Sequence, residues 1–307
     1  MLTVGQEGSP LIKINGGSDI RAVAFAANGE YLFSGGEDGV RVWRVEDGKQ
    51  MATIEAELVW CLAVSEDGRW IAAGTAWGEV FVWDAKTYEK VFSNDVDVGG
   101  ITGVDFSPDS TRLVSASRNQ TATIWDIATR ERVHKLRHGE MAAKYSSQGD
   151  WIATAADNIT DKSVRIWDSN DGGLLMDIPV TVTPSFNNGL LWFNDHLFVV
   201  SGGGIRQIEV STGLIVSEWP VPDSHVSCIA LPKQGEFIIC SGLRIVTFWD
   251  TMTHAQLGLI QHPQDIGSIA VSPDNCFLAI GGQEGEITIN SLSYITVSIL
   301  LVGLSCI

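Results

Sequence analysis

The sequence predicts an all-β fold, a seven-bladed β-propeller in which each blade is a four-stranded antiparallel sheet. Three observations predict it. The first is a ruler. The dipeptide Trp-Asp falls at Trp83-Asp84, Trp125-Asp126, Trp167-Asp168 and Trp249-Asp250, in steps of 42, 42 and 82 residues. Trp43-Arg44 stands 40 residues before the first of these. The double step hides one degenerate copy at Ile208-Glu209, and a further step of 41 reaches Asn290-Ser291, so the copies number seven. The second observation is alternation: apolar residues stand one and three places before the tryptophan, as in Val40 and Val42, Val80 and Val82, Val164 and Ile166. Period two marks a strand. The third is an aromatic at a fixed place. The second strand of the copies starts with Tyr31, Trp70, Arg112, Trp151, His196, Phe237 and Phe277, and five of these seven are aromatic. They read as wedges between blades.

A four-stranded sheet of this size cannot bury both faces alone, and radial packing buries them while leaving only short edges. The copies are read at about residues 10–54, 55–92, 93–136, 137–178, 179–219, 220–260 and 261–291, with an apolar tail at 292–307, all in a single domain 1–307. Blade one has the hairpin turn Glu46-Asp47-Gly48. Blade two carries Trp60 in its first strand and Trp77-Gly78 in its middle turn. Blade three is the most regular, with Phe106-Ser107-Pro108-Asp109 as its first turn. Blade four has an insertion at Asn158 to Lys162. Blade five is the most eroded: it lacks the tryptophan, has Gly202 to Gly204 as its middle turn, and puts Gln207 at a usually apolar place. Blade six has a shortened turn at Gly242. Two segments, Leu11 to Ile14 and Ser298 to Leu301, compete for the outer strand of blade seven.

The residues carrying the pattern resemble the WD40 repeat family over about residues 10–291. The turn Phe106 to Asp109, its relative Val271 to Asp274, and the run Ser34 to Trp43 add to the Trp-Asp register. The resemblance implies that the N-terminal strand closes the last blade. It also implies an internal network of a His before the first strand, a Ser or Thr in the second, an Asp in the middle turn, and the Trp. Here that network is patchy. Blade one offers Ser34, Asp38 and Trp43; blade three Ser115, Asn119 and Trp125; blade four His138, Thr154, Asp161 and Trp167; blade seven His262 and Glu284. Because such sets repeat, they read as architecture; a catalytic triad occurs once and opens on a cleft.

Composition narrows the function classes. A net charge of −17, from 20 Lys+Arg and 37 Asp+Glu, argues against nucleic acid or an anionic membrane as partner. The five cysteines include no CxxC pair, and Cys61 and Cys228 share a place where other copies have Ala22, Gly103 and Ser268, which suits small core residues. The histidines are scattered, so no metal site and no cofactor is expected. The start of the chain shows no secretory pattern, and a reducing, cytoplasmic setting is expected, with a nuclear one as an alternative. No phosphate loop, HExxH or GxSxG motif occurs.

That leaves binding. The resemblance implies a protein or peptide partner on the narrow face around the channel, built from the entries to the first strands and from the middle turns. Carried over, those places are Arg21, Trp60, Thr102, Met141, Gly189, Ser227 and Gly267, with Glu37, Trp77, Arg118 and Asn119 in the turns. Arg21, Glu37, Trp60, Trp77, Thr102 and Arg118 form the expected contact surface, since Trp and Arg dominate interface hot spots. The expected function is a non-catalytic interaction scaffold, monomeric or a subunit of a complex. The alternatives are a small-ligand receptor or enzyme at the channel mouth, or the propeller portion of a larger regulatory protein.

Overall fold

The computed structural model describes residues 10–95, 99–138, 141–157, 161–180, 182, 189–201, 204–221 and 226–292. Within them lie 28 strands, numbered in chain order, in seven four-stranded antiparallel sheets. Blade one holds β2 (Ile20–Phe25), β3 (Tyr31–Gly36), β4 (Gly39–Arg44) and β5 (Gln50–Ile54). Blade two holds β6 (Val59–Val64), β7 (Trp70–Thr75), β8 (Glu79–Asp84) and β9 (Lys90–Asp95). Blade three holds β10 (Ile101–Phe106), β11 (Arg112–Ser117), β12 (Thr121–Asp126) and β13 (Arg132–Leu136). Blade four holds β14 (Ala142–Tyr145), β15 (Trp151–Asp157), β16 (Lys162–Asp168) and β17 (Leu174–Ile178). Blade five holds β18 (Leu190–Phe193), β19 (His196–Ser201), β20 (Gly204–Glu209) and β21 (Leu214–Pro220). Blade six holds β22 (Cys228–Ala230), β23 (Phe237–Ser241), β24 (Ile245–Asp250) and β25 (Gln256–Gln261). Blade seven holds β26 (Ile266–Val271), β27 (Phe277–Gly282) and β28 (Glu286–Ser291), completed by β1 (Ile12–Asn15) from the start of the chain.

The ring closes there. β1 pairs with β28 in the register Ile12↔Ile289 to Asn15↔Glu286, so the N-terminal segment holds the outer place of blade seven. Ser298 to Leu301 lie outside the described residues. The innermost strands touch in the order β2, β6, β10, β14, β18, β22, β26 and back to β2.

The core is a set of seams. Each of seven apolar clusters joins two neighbouring blades. The tryptophan of the Trp-Asp pair faces the preceding blade: Trp83 packs with Phe33 and Val42 of blade one, and Trp125 with Val80 and Val82 of blade two. Where that tryptophan is missing, Ile208 and Asn290 take its place and are buried. The wedges at the start of the second strand face the other way, as Trp70 packs into the seam with blade three and Trp151 into the seam with blade five. Arg112, in the same place, donates from Nη1 to the Ser169 carbonyl of blade four at 2.9 Å.

Each motif has a local cause. The Asp of Trp-Asp caps the next turn: Asp84 accepts the amides of Lys86 and Thr87, and Asp250 those of Met252 and Thr253. Arg44 replaces that cap with an ion pair to Asp47. In the first turns, Ser107 Oγ donates to Asp109 at 2.6 Å and accepts the Arg112 amide at 2.9 Å. Ser65 with Asp67 and Ser272 with Asp274 repeat this. Close packing of the inner strands requires glycine at Gly74, where a Cβ would stand 2.3 Å from Ile101 Cγ2 of the next blade. Cys61 and Cys228 are buried, their Sγ atoms 3.6 and 3.5 Å from the Ile101 and Gly267 carbonyls of the following blade. Burial pushes the Cys61 thiol up to about 12.

Candidate functional site

The entry to the first strand of blade two meets the middle turns of blades one to three around Trp60 and Leu58. Arg21, Trp60 and Thr102 each sit where the first strand slips register against the second, between Ile20 and Ala22, Val59 and Cys61, and Ile101 and Gly103. Such a bulge leaves the extra residue out of the ladder and re-aims its side chain. The slip that turns Arg21 and Trp60 is not readable from an apolar alternation.

Trp60 is half-buried and lies across Gly100, where a Cβ would come within 2.4 Å of its ring. Arg118, from the β11–β12 turn of blade three, sets its guanidinium carbon 4.7 Å from the centre of the Trp60 ring. At this range the cation is held by the ring's negative face. Arg118 N also donates to the Gly100 carbonyl at 3.0 Å, which fixes the turn over the ring. Ala76 N donates to Leu58 O at 2.9 Å and anchors the β7–β8 turn beside it. On that turn Trp77 is 64% exposed, the one tryptophan among the large apolar residues that stand out in solvent. Glu37 joins from blade one: its carbonyl accepts the Leu58 amide at 3.2 Å and its side chain is exposed. Arg21 is held to Asp19 at 3.0 Å at the edge of blade one.

Thr102 departs from the expectation. It is wholly buried, and its hydroxyl donates to the Ala116 carbonyl at 3.3 Å. A side chain this short folds back from the bulge onto its own sheet, whereas Arg21 and Trp60 reach beyond it. Met141 and Gly189 are buried as well, so the face is strongest on blades one to three.

The Ser, His and Asp sets are interior. Trp43 Nε1 donates to Ser34 Oγ at 2.8 Å and Trp125 Nε1 to Ser115 Oγ at 2.9 Å. Asp38 takes no part; it pairs with Arg41. Asn119 binds Thr121, and His262 Nδ1 faces Gln264 rather than Glu284. Only blade four, among the described residues, assembles the whole chain of bonds. Trp167 Nε1 donates to Thr154 Oγ1 at 2.8 Å, and His138 Nδ1 lies 2.6 Å from the same oxygen. Its Nε2 faces Ser163 Oγ at 3.2 Å; because Ser163 spends its one proton on Asp161, Nε2 carries the proton of the neutral ring and Nδ1 accepts from Thr154. Ser163 in turn donates to Asp161 at 2.7 Å, and Arg165 holds Asp161 and Asp177 at 3.0 and 2.9 Å. Burial and the Arg165 charge lower His138 from 6.5 to about 4.

As bonded here, the set is not poised as a nucleophile and base. The single Ser163 proton is committed to Asp161, so His138 has none to take, and a histidine lowered to about 4 is a weak base near neutrality. No group of three or more His, Cys, Asp or Glu suited to a metal ion occurs among the described residues. No helix among them is long and apolar enough to cross a membrane.

Comparison with known proteins agrees with this architecture. The sequence pattern of the family "WD domain, G-beta repeat" matches residues 8–44, 48–84, 90–126 and 131–168. Autophagy-related protein 16 of Arabidopsis thaliana is 24% identical over 282 residues, covering 89% of this chain and 47% of that protein. WD repeat-containing protein 18 of Danio rerio is 23% identical, covering 89% of this chain and 70% of that protein. WD repeat-containing protein 1 of Bos taurus is 39% identical over 82 residues, 26% of this chain and 14% of that protein. The chain thus spans about half the length of the first of these relatives. Four tandem family matches, continued by three further blades of the same four-stranded unit, identify the chain as a member of the WD40 repeat family.

Proposed function

We propose that the protein is a non-catalytic scaffold that binds a protein or peptide partner on the face formed by the strand entries and middle turns of blades one to three. Propellers of this family generally act as interaction scaffolds. The observation that carries the reading is the Trp60–Arg118 stack, with exposed Trp77 on the neighbouring turn. A rigid aromatic plane costs little side-chain entropy to order, and it is covered here by the Arg118 guanidinium, with Glu37 exposed on the adjoining blade-one turn. Arg21 and Glu37 form the blade-one rim; Thr102 supports the bulge from within. In this reading the partner is neither nucleic acid nor membrane, no cofactor is used, and the setting is cytoplasmic or nuclear.

The test is affinity capture from cell extract with the full chain and with Trp77→Asp/Arg118→Glu, both checked for an unchanged thermal transition. Loss of a specific protein from the variant's eluate is expected. An identical set of captured proteins refutes this face as the binding surface.

A further inference from the structure

One residue ties together the blade-two corner of the narrow face. Leu58, at φ 49°, lies in the left-handed region that leucine rarely adopts. Its amide donates to the Glu37 carbonyl of the blade-one turn at 3.2 Å, and its carbonyl accepts the Ala76 amide of the blade-two turn at 2.9 Å. On the blade-three side, a Cβ on Gly100 would stand 2.9 Å from the Ala76 carbonyl and 2.4 Å from the Trp60 ring. Glu37, Glu57 next to Leu58, Trp77 next to Ala76, and Trp60 are thus linked, contact by contact, into one patch.

The patch is acidic by count and by pairing. Residues 16–21, 37–41, 55–60 and 76–79 hold six carboxylates, Asp19, Glu37, Asp38, Glu55, Glu57 and Glu79, against two cations, Arg21 and Arg41. Both cations are matched, Arg21 to Asp19 at 3.0 Å and Arg41 to Asp38 at 2.9 Å. Blade three adds a third cation, Arg118, laid over Trp60. Glu37, Glu55, Glu57 and Glu79 have no ion pair among the described residues, and the first three are exposed. Trp77 is 64% exposed, and no cation lies over its ring among the described residues. An indole face attracts a cation, and nearby carboxylates add to that attraction. A second copy of the chain, at net −17, has the wrong sign to answer it.

We propose that this corner takes a basic segment of a partner protein. One Lys or Arg side chain of the segment lies on the Trp77 ring, and another pairs with Glu37 and Glu57. The inference rests on the reading that the face of blades one to three binds a partner, and it adds the charge and residue type of what binds there.

The test pans short random peptides on phage against the full chain. Recovered sequences are synthesised with a fluorophore, and their affinities are measured by anisotropy at about 0.15 M salt. Peptides carrying Lys or Arg are expected. Trp77→Ala should weaken them about tenfold, and Glu37→Gln/Glu57→Gln about fivefold. All three side chains are exposed, so these variants keep the fold. Glu66→Gln/Glu89→Gln removes the same charge from the β6–β7 and β8–β9 turns, at the end of the blade-two strands opposite Trp77. It should change affinity by less than about twofold, because that distance is screened. Recovery of acidic or uncharged peptides that Trp77→Ala releases overturns the basic partner while the binding face stands. Basic peptides weakened as much by Glu66→Gln/Glu89→Gln as by Glu37→Gln/Glu57→Gln overturn it as well, since net charge alone then attracts them. Peptides indifferent to Trp77→Ala and to Glu37→Gln/Glu57→Gln refute the face itself, and this inference with it.

Discussion

Replacing Thr154 by valine keeps the shape of the side chain and removes one hydroxyl. That hydroxyl serves two buried partners, accepting from Trp167 Nε1 at 2.8 Å and donating to His138 Nδ1 at 2.6 Å. All three residues are buried. A buried polar group left unsatisfied costs about 1–3 kcal/mol, so two orphans cost about 2–6 kcal/mol together. Ser34→Ala and Ser115→Ala orphan only one group each, Trp43 Nε1 or Trp125 Nε1, and should cost about 1–3 kcal/mol. Equilibrium urea unfolding near neutral pH measures the three variants, with the cost read from midpoints at constant slope. The expected order is Thr154→Val above the two serine variants, by a factor of about two. Equal costs, or a Thr154→Val cost below about 1 kcal/mol, would refute the wiring of blade four and the neutral state assigned to His138.

The same histidine gives a pH signature. Its folded value lies near 4, below the ordinary 6.5, so the unfolded chain takes up a proton first as pH falls. Stability contributed by neutral His138 is complete above about 6.5 and is lost between there and about 4, by up to about 3 kcal/mol. Urea midpoints across that window should fall in wild type and less steeply in Thr154→Val, whose His138 has lost its hydrogen-bond donor; parallel curves would contradict this. Gly74→Ala forces a Cβ to within 2.3 Å of Ile101 Cγ2 and should cost about 1–3 kcal/mol by calorimetry, whereas Gly258→Ala, with open space around it, should change stability by less than about 0.5 kcal/mol.

Much of the architecture was legible because each motif does a local job that repeats. A Trp-Asp pair needs a neighbour's core for the ring and a following turn for the carboxylate, so its spacing counts blades even where Ile208 or Asn290 stands in. The aromatic start of the second strand was readable for the same reason. What could not be read depends on contacts between blades. The Trp60–Arg118 stack joins residues 58 positions apart, through a bulge that no alternation announces. Thr102 occupies the equivalent bulge of blade three and turns inward, because reach rather than position decides exposure. Pattern alone overestimated Asp38 and Glu284 as network members: Asp38 finds Arg41, and the Glu284 amide finds Gln264 Oε1. The exposure of Leu174 and Ile215 was invisible, since they look like core residues until the sheet order makes their strands edges.

The central claim is a closed ring whose last blade borrows its outer strand from the start of the chain. Asn15 and Glu286 lie directly opposite each other on β1 and β28. Opposed residues of antiparallel strands lie about 4.5–5.5 Å apart at Cα, within disulfide range. Asn15→Cys/Glu286→Cys should therefore oxidise to a single intramolecular link, identified by peptide mass spectrometry, and should raise the urea midpoint. A folded double variant that keeps both new thiols free under oxidant would contradict the closure.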